Sequence, residues 1–405
     1  MNPVSPQMYG SLEDLIGEDK LKEITTDTIN GIPVVENGQV RVMKDNLLDS
    51  TGSKEDGYDD SDEYLSEFLQ LLKTRTVIIG VGGAGNNAIT RLQESGVTGA
   101  ITIAVNTDAQ DLYYANADQK LLIGKEVTGG LGSGNNPKVG EESAESDLER
   151  IRQITRKNIV FLTCGMGGGT GTGASPIIAR EAQKAGALVI SFCTLPFKME
   201  GEEKGVIANE GLLKLAEFSD TIIPLPNEKL MKLVPNLTLM KGFKIMDEIL
   251  IRSVRGIVDL VSNCGLVNLD LADVKNILNR SHGTSGYIGK SEISLEEISK
   301  SNNSMPSPFV KEIIQEKTLK ALHNPILEMD PSEISSCLVS ITGNQYLSLS
   351  QVNEIVSTVS KTIRPNAKLK FGAMIDPTSE KIHINIIGQG PTSPYLEKAK
   401  PALNE

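Results

Sequence analysis

Short apolar runs recur between residues 74 and 238, and amphipathic segments separate most of them. The runs are rich in Ile, Val and Leu, which predicts buried β-strands, and the segments between them have helical spacing. The predicted strands are 76–79, 101–105, 159–163, 188–193 and 221–225. The predicted helices are 87–95, 140–153, 174–184 and 205–217. This alternation predicts an α/β domain with a doubly wound parallel sheet, in which ligands bind at the carboxyl ends of the strands.

A long amphipathic segment follows this domain. From Leu239 to Asn263 apolar residues recur near 3.6 spacing, which predicts one helix about 35 Å long that can link two domains. Beyond it the pattern predicts strands at 337–341, 369–375 and 382–387 and a helix at 350–363. A second, smaller α+β domain is therefore expected.

These patterns divide the chain into five segments. They are an acidic N-terminal arm (1–73), the α/β domain (74–238), the central helix (239–266), the α+β domain (267–388) and a short tail (389–405). Residues 1–73 carry 16 acidic and 6 basic side chains, whereas the whole chain has a net charge of −12. The acidity thus belongs to the arm, which is predicted to be mostly disordered.

Two apolar islands interrupt the arm. Residues 64–72 have helical spacing and are expected to pack on the domain that follows. Residues 12–16 leave two interpretations open, a docking motif that folds on a partner and a solvated tail with incidental apolar residues.

Composition excludes several classes of function. The sequence shows no basic face of the kind that nucleic-acid binding requires. It also contains no run that approaches the roughly 18 apolar residues of a membrane-spanning helix. Any membrane association is therefore expected to require a partner. The four cysteines form no C-x-x-C pair, so reduced and mostly buried thiols are expected.

The segment Gly165–Gly173 holds six glycines and two threonines between a predicted strand and a predicted helix. Glycine backbones let N–H groups converge on an anion, and a helix N-terminus favours phosphate. The Walker loop requires a lysine after its last glycine, and none follows here. The pattern predicts a different phosphate cradle; the alternative, a flexible linker, does not suit a position between a buried strand and a helix.

A second glycine segment, Gly80–Gly85, also satisfies G-x-G-x-x-G after a strand, and Asp108 lies where a ribose-binding acid is expected. Alone, this motif would favour a nicotinamide or flavin enzyme. The loop at 165–173 argues against that alternative, because one dinucleotide-binding half needs only one such loop.

Four motifs in this order resemble the tubulin/FtsZ superfamily over roughly residues 74–388. They are Gly80–Asn87 (GVGGAGNN), Asn106–Gln110 (NTDAQ), Gly165–Gly173 (GMGGGTGTG) and Asn268–Val274 (NLDLADV). The wording of the first motif resembles archaeal FtsZ more than the usual bacterial form. The resemblance implies a tubulin/FtsZ-like fold and a GTPase that uses GTP, GDP and Mg²⁺.

By resemblance, the loops at 80–87 and 165–173 hold the di- and triphosphate, the loop at 129–137 senses the γ-phosphate, and Asp108 acts through Mg²⁺. The implied phosphate-side residues are Gly83, Ala84, Gly85, Asn86, Asn87, Asn106, Asp108, Gly132, Ser133, Gly134, Gly168, Gly169, Thr170, Gly171 and Thr172. The implied ribose and base contacts are Glu200, Lys204, Asn227, Phe243 and Asp247. Lys204 stands where the family usually has Arg, and lysine keeps the charge but not the planar fork.

The resemblance also implies that Asn268, Asp270 and Asp273 are catalytic and enter the site of the next subunit, where they polarise a water against the γ-phosphate. The central helix should hold them about 35 Å from their own nucleotide. A helix-capping role for the same residues is compatible with this one.

The expected function is a cytoplasmic GTPase that polymerises head to tail and scaffolds the midcell division ring. A membrane-anchoring division partner is expected to bind a terminal tail. However, the tail at 389–405 lacks the usual docking peptide, and residues 283–311 form an unusually long Ser/Asn-rich stretch. Two alternatives are a superfamily filament for cell shape or plasmid segregation and a nucleotide-binding module that does not polymerise.

Overall fold

The computed structural model describes residues 76–97, 99–157, 159–234, 238–262, 271–278, 284–294, 308–327, 329–390 and 393–399. The predicted arm at 1–73, with both apolar islands, lies outside the described residues, as do Asn268 and Asp270.

A six-stranded parallel sheet forms the centre of the first domain. Its strands are β1 (Thr76–Val81), β2 (Ile101–Asn106), β3 (Gln119–Leu122), β4 (Ile159–Gly165), β5 (Leu188–Leu195) and β6 (Thr221–Pro226). They lie in the order β3-β2-β1-β4-β5-β6. The helices are α1 (Gly82–Glu94), α2 (Ala109–Tyr114), α3 (Lys125–Thr128), α4 (Pro137–Ser146), α5 (Leu148–Thr155), α6 (Thr170–Lys184), α7 (Glu202–Phe218) and α8 (Asn227–Leu233). The predicted doubly wound parallel sheet is confirmed.

The two faces of this sheet bury different layers, because side chains alternate along each strand. Ile78 and Phe161 belong to a buried cluster that continues into the second domain. Val77 and Leu162 belong to a second cluster, which includes residues of α6 and α7. Both faces are apolar, which explains why the strands appear in the sequence as continuous apolar runs.

The central helix, α9 (Leu239–Ser262), joins the two domains. Ile245, Ile249, Val254 and Val258 are buried along one side at helical spacing, as the sequence predicts. These residues share one cluster with Ile78 of the first sheet and with the second sheet. No helix in the described ranges combines the length and apolar character that a membrane span requires.

The second domain is a four-stranded mixed sheet with helices, which confirms the predicted smaller α+β domain. Its strands are β7 (Gly286–Ser294), β8 (Ser336–Gly343), β9 (Lys368–Ile375) and β10 (Lys381–Gln389), in the order β7-β10-β8-β9. Strand β10 runs antiparallel to both of its neighbours, and β8 runs parallel to β9. The accompanying helices are α10 (Leu271–Leu278), α11 (Pro308–Leu322) and α12 (Leu349–Thr362).

Several elements differ from the predictions. Helix α1 begins at Gly82 rather than at residue 87, so the glycine segment forms its first turn. The helix predicted at 140–153 is two helices that meet at Asp147, whose Oδ2 accepts a hydrogen bond from the Gly124 amide at 2.7 Å. Strand β3 was not predicted, and β7 and α11 occupy part of the stretch at 283–311 that was left without elements.

Part of the predicted tail forms a helix. A short helix, α13 (Pro394–Ala399), buries Leu396 in the cluster that contains residues of α7. Just before it, the Gln389 side-chain amide donates to Thr221 Oγ1 at 2.6 Å and to the Asp220 carbonyl oxygen at 3.2 Å. The segment after β10 therefore packs against the first domain.

Candidate functional site

A cavity of about 570 Å³ opens at the carboxyl ends of β1, β4 and β5. It lies where open α/β sheets bind their ligands. Fifteen of the predicted site residues line it: Gly83, Ala84, Asn106, Asp108, Gly132, Ser133, Gly134, Gly168, Gly169, Thr170, Gly171, Glu200, Lys204, Asn227 and Phe243.

The loop between β4 and α6 forms the floor of the cavity. Helix α6 begins at Thr170, so its first amide groups face the opening. Thr170 Oγ1 lies 2.7 Å from Thr107 Oγ1 and 3.0 Å from Ser133 Oγ, which joins three loops at one point. A Cβ on Gly171 would lie 2.5 Å from the Gly165 carbonyl oxygen, so this approach requires glycine. The arrangement is an anion cradle at a helix N-terminus.

Three predicted phosphate-side residues line neither this cavity nor the smaller one described below. Their contacts stabilise the cradle instead. Thr172 Oγ1 accepts a hydrogen bond from the Gly167 amide at 2.9 Å. A Cβ on Gly85 would lie 2.5 Å from the Thr163 carbonyl oxygen. Asn86 is buried; in the amide orientation that satisfies both of its polar atoms, it donates to the Gly80 carbonyl oxygen and accepts from Asn106 Nδ2.

Two carboxylates lie on one wall of the cavity. Asp108 caps α2, since its Oδ1 accepts from the amides of Gln110 at 2.9 Å and Asp111 at 3.1 Å. Asp111 also lines the cavity, and its Oδ2 accepts from Asn106 Nδ2 at 2.6 Å. Sequence reasoning missed Asp111, although its position three residues after Asp108 places it in the first turn of the capped helix.

These side chains fit the Mg²⁺ that the sequence resemblance implies. Magnesium prefers oxygen ligands and keeps several waters, and here carboxylate and hydroxyl oxygens line one cavity. Asp108 retains Oδ2 for such a contact, because only Oδ1 is committed to the cap of α2. Among the described residues no group of three or more His, Cys, Asp or Glu could hold a metal. The described residues thus offer only part of a ligand set for such an ion.

The predicted ribose side of the cavity is formed by the turn at Lys198–Glu200 and the start of α7. Glu200 Oε1 accepts from the Phe197 amide at 2.8 Å, and its Oε2 accepts from Lys204 Nζ at 3.1 Å. Lys204 therefore reaches the same carboxylate that is predicted to hold the sugar hydroxyls.

A second cavity of about 250 Å³ shares Ala84, Thr194, Asn227 and Phe243 with the first. It contains Asn87 and Asp247, two predicted site residues that do not line the larger cavity. Asn227 Oδ1 is buried and has no hydrogen-bond partner among the described residues. A buried acceptor without a donor is costly, so this atom suits a ligand that brings one.

Asp247 forms an ion pair with Arg91, which sequence reasoning did not assign to the site. Burial raises the pKa of Asp247 to about 6, and the Arg91 guanidinium opposes that rise. Arg91 lies on α1 and Asp247 on α9, 156 residues apart. No local sequence signal marks such a pair.

Asp273 lies on α10 and does not line either cavity. Its Oδ1 accepts from Lys370 Nζ on β9 at 3.0 Å, so it sits against the second sheet. Asn268 and Asp270 lie outside the described residues, and their predicted roles stay predictions.

The chain resembles known proteins along most of its length. Residues 75–235 match the family model of the tubulin/FtsZ GTPase domain, and residues 311–391 match that of the FtsZ C-terminal domain. Cell division protein FtsZ 1 of Methanocaldococcus jannaschii is 44% identical over 320 residues, which cover 79% of this chain and 83% of that protein. Cell division protein FtsZ of Methanothermobacter thermautotrophicus is 43% identical over 337 residues, which cover 83% of this chain and 84% of that protein.

Solved structures show the same likeness. An empty FtsZ dimer from M. jannaschii has a TM-score of 0.70 at 41% identity, covering 82% of this chain and 93% of that chain. CetZ2 from Haloferax volcanii, a GTPgS-bound protofilament, has a TM-score of 0.67 at 21% identity, covering 82% of this chain and 99% of that chain. At that identity the second likeness concerns the fold.

Proposed function

Because the chain belongs to the tubulin/FtsZ family of GTPases, and within it to the FtsZ type, we propose that it assembles head to tail into filaments that scaffold cell division. The observation that carries this proposal is the position of Asp273. It pairs with Lys370 on the second sheet, while the phosphate cradle lies at the other domain. The 24-residue central helix between them spans about 36 Å at 1.5 Å per residue. Asp273 lines neither cavity of its own subunit, which supports a role in the site of a neighbouring one.

In the proposed complex the amides at the N-terminus of α6 and the glycines at the start of α1 bind the phosphates of GTP. Asp108, with Asp111 beside it, would hold Mg²⁺, which would neutralise charge on the phosphate oxygens. Asn227 and Asp247 accept hydrogen bonds from the base, and Phe243 packs on it. Phe243 is 40% exposed and lines both cavities, which supports a position beside the junction of sugar and base.

Hydrolysis is proposed to occur at junctions between subunits. Asp270 and Asp273 of one subunit then orient a water against the γ-phosphate held by the next, which is the work of a general base or water-positioning group. The relative from M. jannaschii solved as an FtsZ dimer supports self-association. GTP occupies the junction, so its cleavage weakens the filament.

The direct test is assembly of the full chain. With Mg²⁺ and GTP, 90-degree light scattering and sedimentation should both rise above a threshold protein concentration, and with GDP or ATP they should not. Equal scattering with GTP and GDP, or none with either while GTP still binds, would leave a nucleotide-binding protein that does not polymerise through this site.

The cellular role is proposed from the relatives, which are named as cell division proteins. The filament is expected in the cytoplasm at the midcell ring, and a division partner is expected to anchor it to the membrane through a terminal segment outside the described residues. Tagged protein distributed along the cell sides or on plasmids, with no midcell ring, would instead indicate a shape or segregation filament.

Asp247→Ala is expected to weaken the preference for GDP over ADP by about tenfold to a hundredfold, since a hydrogen bond to a charged group contributes about 1.5–3 kcal/mol. The variant loses the acceptor for the guanine N1–H and 2-amino groups. Isothermal titration with both nucleotides measures the ratio. Glu248→Ala is the matched control, because this neighbouring carboxylate pairs with Arg252 instead. A full guanine preference in Asp247→Ala would refute the assignment.

A further inference from the structure

We propose that Arg91 is a second specificity-determining residue of the base site, where it donates to guanine O6 while Asp247 accepts from the donors on the same edge of the base. The proposal rests on the proposed function, because it deepens the guanine site. Arg91 lies near the end of α1, the helix whose first turn contains Gly82–Gly85 of the glycine segment at 80–85.

The geometry places Arg91 inside the smaller cavity. Its Nη1 donates to Asp247 Oδ2, and both side chains line the 250 Å³ space together with Asn87, Asn227 and Phe243. The side chains are 29% and 15% exposed, respectively, so the pair is largely withdrawn from solvent but still accessible from the cavity. Guanidinium and carboxylate thus stand side by side on the wall that a base would face.

Such a pair can distinguish guanine from adenine through both its hydrogen-bond donors and its hydrogen-bond acceptors. Guanine presents an acceptor at O6 beside donors at N1 and the 2-amino group, whereas adenine presents a donor at its 6-amino group and an acceptor at N1. A carboxylate alone can read only the donors. A guanidinium has five N–H donors in a fixed fork, so one N–H can hold Asp247 while others reach O6. Adenine would set its 6-amino group against those donors.

The pair also controls the charge of its own acceptor. Burial raises the pKa of Asp247 to about 6, and Arg91 holds it below the value that burial alone would give. The other titratable group that lines this cavity is Cys164 on β4, and burial raises its pKa to about 12, so it stays neutral near pH 7. The remaining lining side chains on β5 and α8, Thr194 and Asn227, do not titrate.

Removal of Arg91 should therefore have a pH signature. Without the guanidinium the pKa of Asp247 rises further, and the carboxyl group gains a proton as the pH falls through that value. A protonated carboxyl cannot accept from both donors of guanine. Binding through Asp247 should be lost at a higher pH in the variant than in the wild type, and it should recover as the pH is raised.

The test is Arg91→Gln in the full chain, titrated with GDP, IDP and ADP in the presence of Mg²⁺ between about pH 6 and pH 8. We expect GDP affinity to fall by about tenfold or more near pH 7, with a larger loss at lower pH. IDP keeps O6 and N1–H but lacks the 2-amino group. The ratio of GDP to IDP affinity should therefore survive in Arg91→Gln at the upper pH, whereas it should disappear in Asp247→Ala.

Two further variants separate the role of Arg91 from general effects of losing an arginine. Arg255→Gln is the matched control, because Arg255 lies on α9 outside both cavities and should leave all three affinities unchanged. Arg91→Lys should restore the wild-type pH profile, since it keeps the positive charge, but only part of the GDP affinity, since it lacks the fork. Unchanged GDP affinity in Arg91→Gln would make the pair merely structural, and tighter GDP binding would make Arg91 a competitor of the base. Either result overturns the inference, whereas failure of the wild type to bind GDP would overturn the proposed function itself.

Discussion

Asp273→Ala is expected to bind GTP with wild-type affinity and to hydrolyse it about a hundredfold to ten-thousandfold more slowly per subunit. Asp273 lines neither cavity, so its removal leaves the contacts to nucleotide in its own subunit intact. The proposed loss is confined to the carboxylate that orients water at the neighbour's γ-phosphate. Filaments of the variant should last longer, because GTP remains intact at each junction.

The same geometry predicts how the wild-type rate depends on concentration. Below the assembly threshold each cradle lacks the neighbour's Asp273, so phosphate release per subunit should be close to zero. Above it, the rate per subunit should rise and then level off as junctions form. Phosphate release and sedimentation measured on the same dilution series would reveal whether the two thresholds coincide. A constant rate from isolated monomers would show that catalysis occurs within one subunit.

Lys370→Ala separates catalysis from structural support. Lys370→Ala and Asp273→Ala both break the Asp273–Lys370 ion pair, which joins α10 to β9 at 3.0 Å. Only Asp273→Ala removes the carboxylate. Because Lys370 is 54% exposed, loss of this ion pair alone should cost about 1 kcal/mol of stability or less. Hydrolysis in Lys370→Ala should stay within a few-fold of wild type, and equally slow hydrolysis in both variants would indicate that the ion pair, not the carboxylate, matters.

The elements that the sequence predicted well are those whose burial dictates their pattern. β1, β4 and β5 are buried on both faces, so each is a mostly apolar run without polar alternation. The central helix buries one side, and its spacing shows this directly. β3 was missed because this short edge strand, Gln119–Leu122, has only one buried residue and no apolar run. The predicted strands and the missed strand β3 therefore differ in burial rather than in intrinsic strand propensity.

The structure differs from the prediction at one glycine-rich segment and at one segment that contains prolines. Glycine is a poor helix former, so residues 82–85 were assigned to a loop. They form the first turn of α1 instead, where a Cβ on Gly85 would lie 2.5 Å from the Thr163 carbonyl oxygen, so close packing requires glycine there despite its low helix propensity. A short tail was predicted after residue 389, in a segment with three prolines. Pro394 begins a helix, a position where its missing N–H has no cost, and the burial of Leu396 stabilises that helix.

The candidate site was predictable where a motif is contiguous. The loops around Asp108 and Thr170 lie at the carboxyl ends of strands, and the fold brings them to one cavity. Arg91 was not predictable, because its partner lies on another helix and an ordinary arginine in a last helical turn has its own local explanation. Pairs that form only through tertiary packing leave no signal in local sequence patterns.

Gly168→Asp is expected to abolish measurable GTP and GDP binding without unfolding the protein. Gly168 lines the phosphate cavity, and a Cβ built on it meets nothing within 4 Å. The side chain can therefore enter the space where phosphates bind. Two like unit charges 4 Å apart repel by about 4 kcal/mol at an effective dielectric constant of about 20. This energy corresponds to about a thousandfold loss of affinity, and several phosphate charges would add to it.

Gly168→Asn isolates the charge from the bulk, since asparagine has nearly the same size and shape but is neutral. We expect this control to bind GDP far more tightly than Gly168→Asp, while both keep the wild-type melting temperature. Gly171→Ala is the opposite case, because its Cβ would lie 2.5 Å from the Gly165 carbonyl oxygen and should lower the melting temperature even without nucleotide. If Gly168→Asp and Gly168→Asn bound GDP equally, electrostatic repulsion of phosphate would not operate at Gly168, and the loop between β4 and α6 would not be the phosphate cradle.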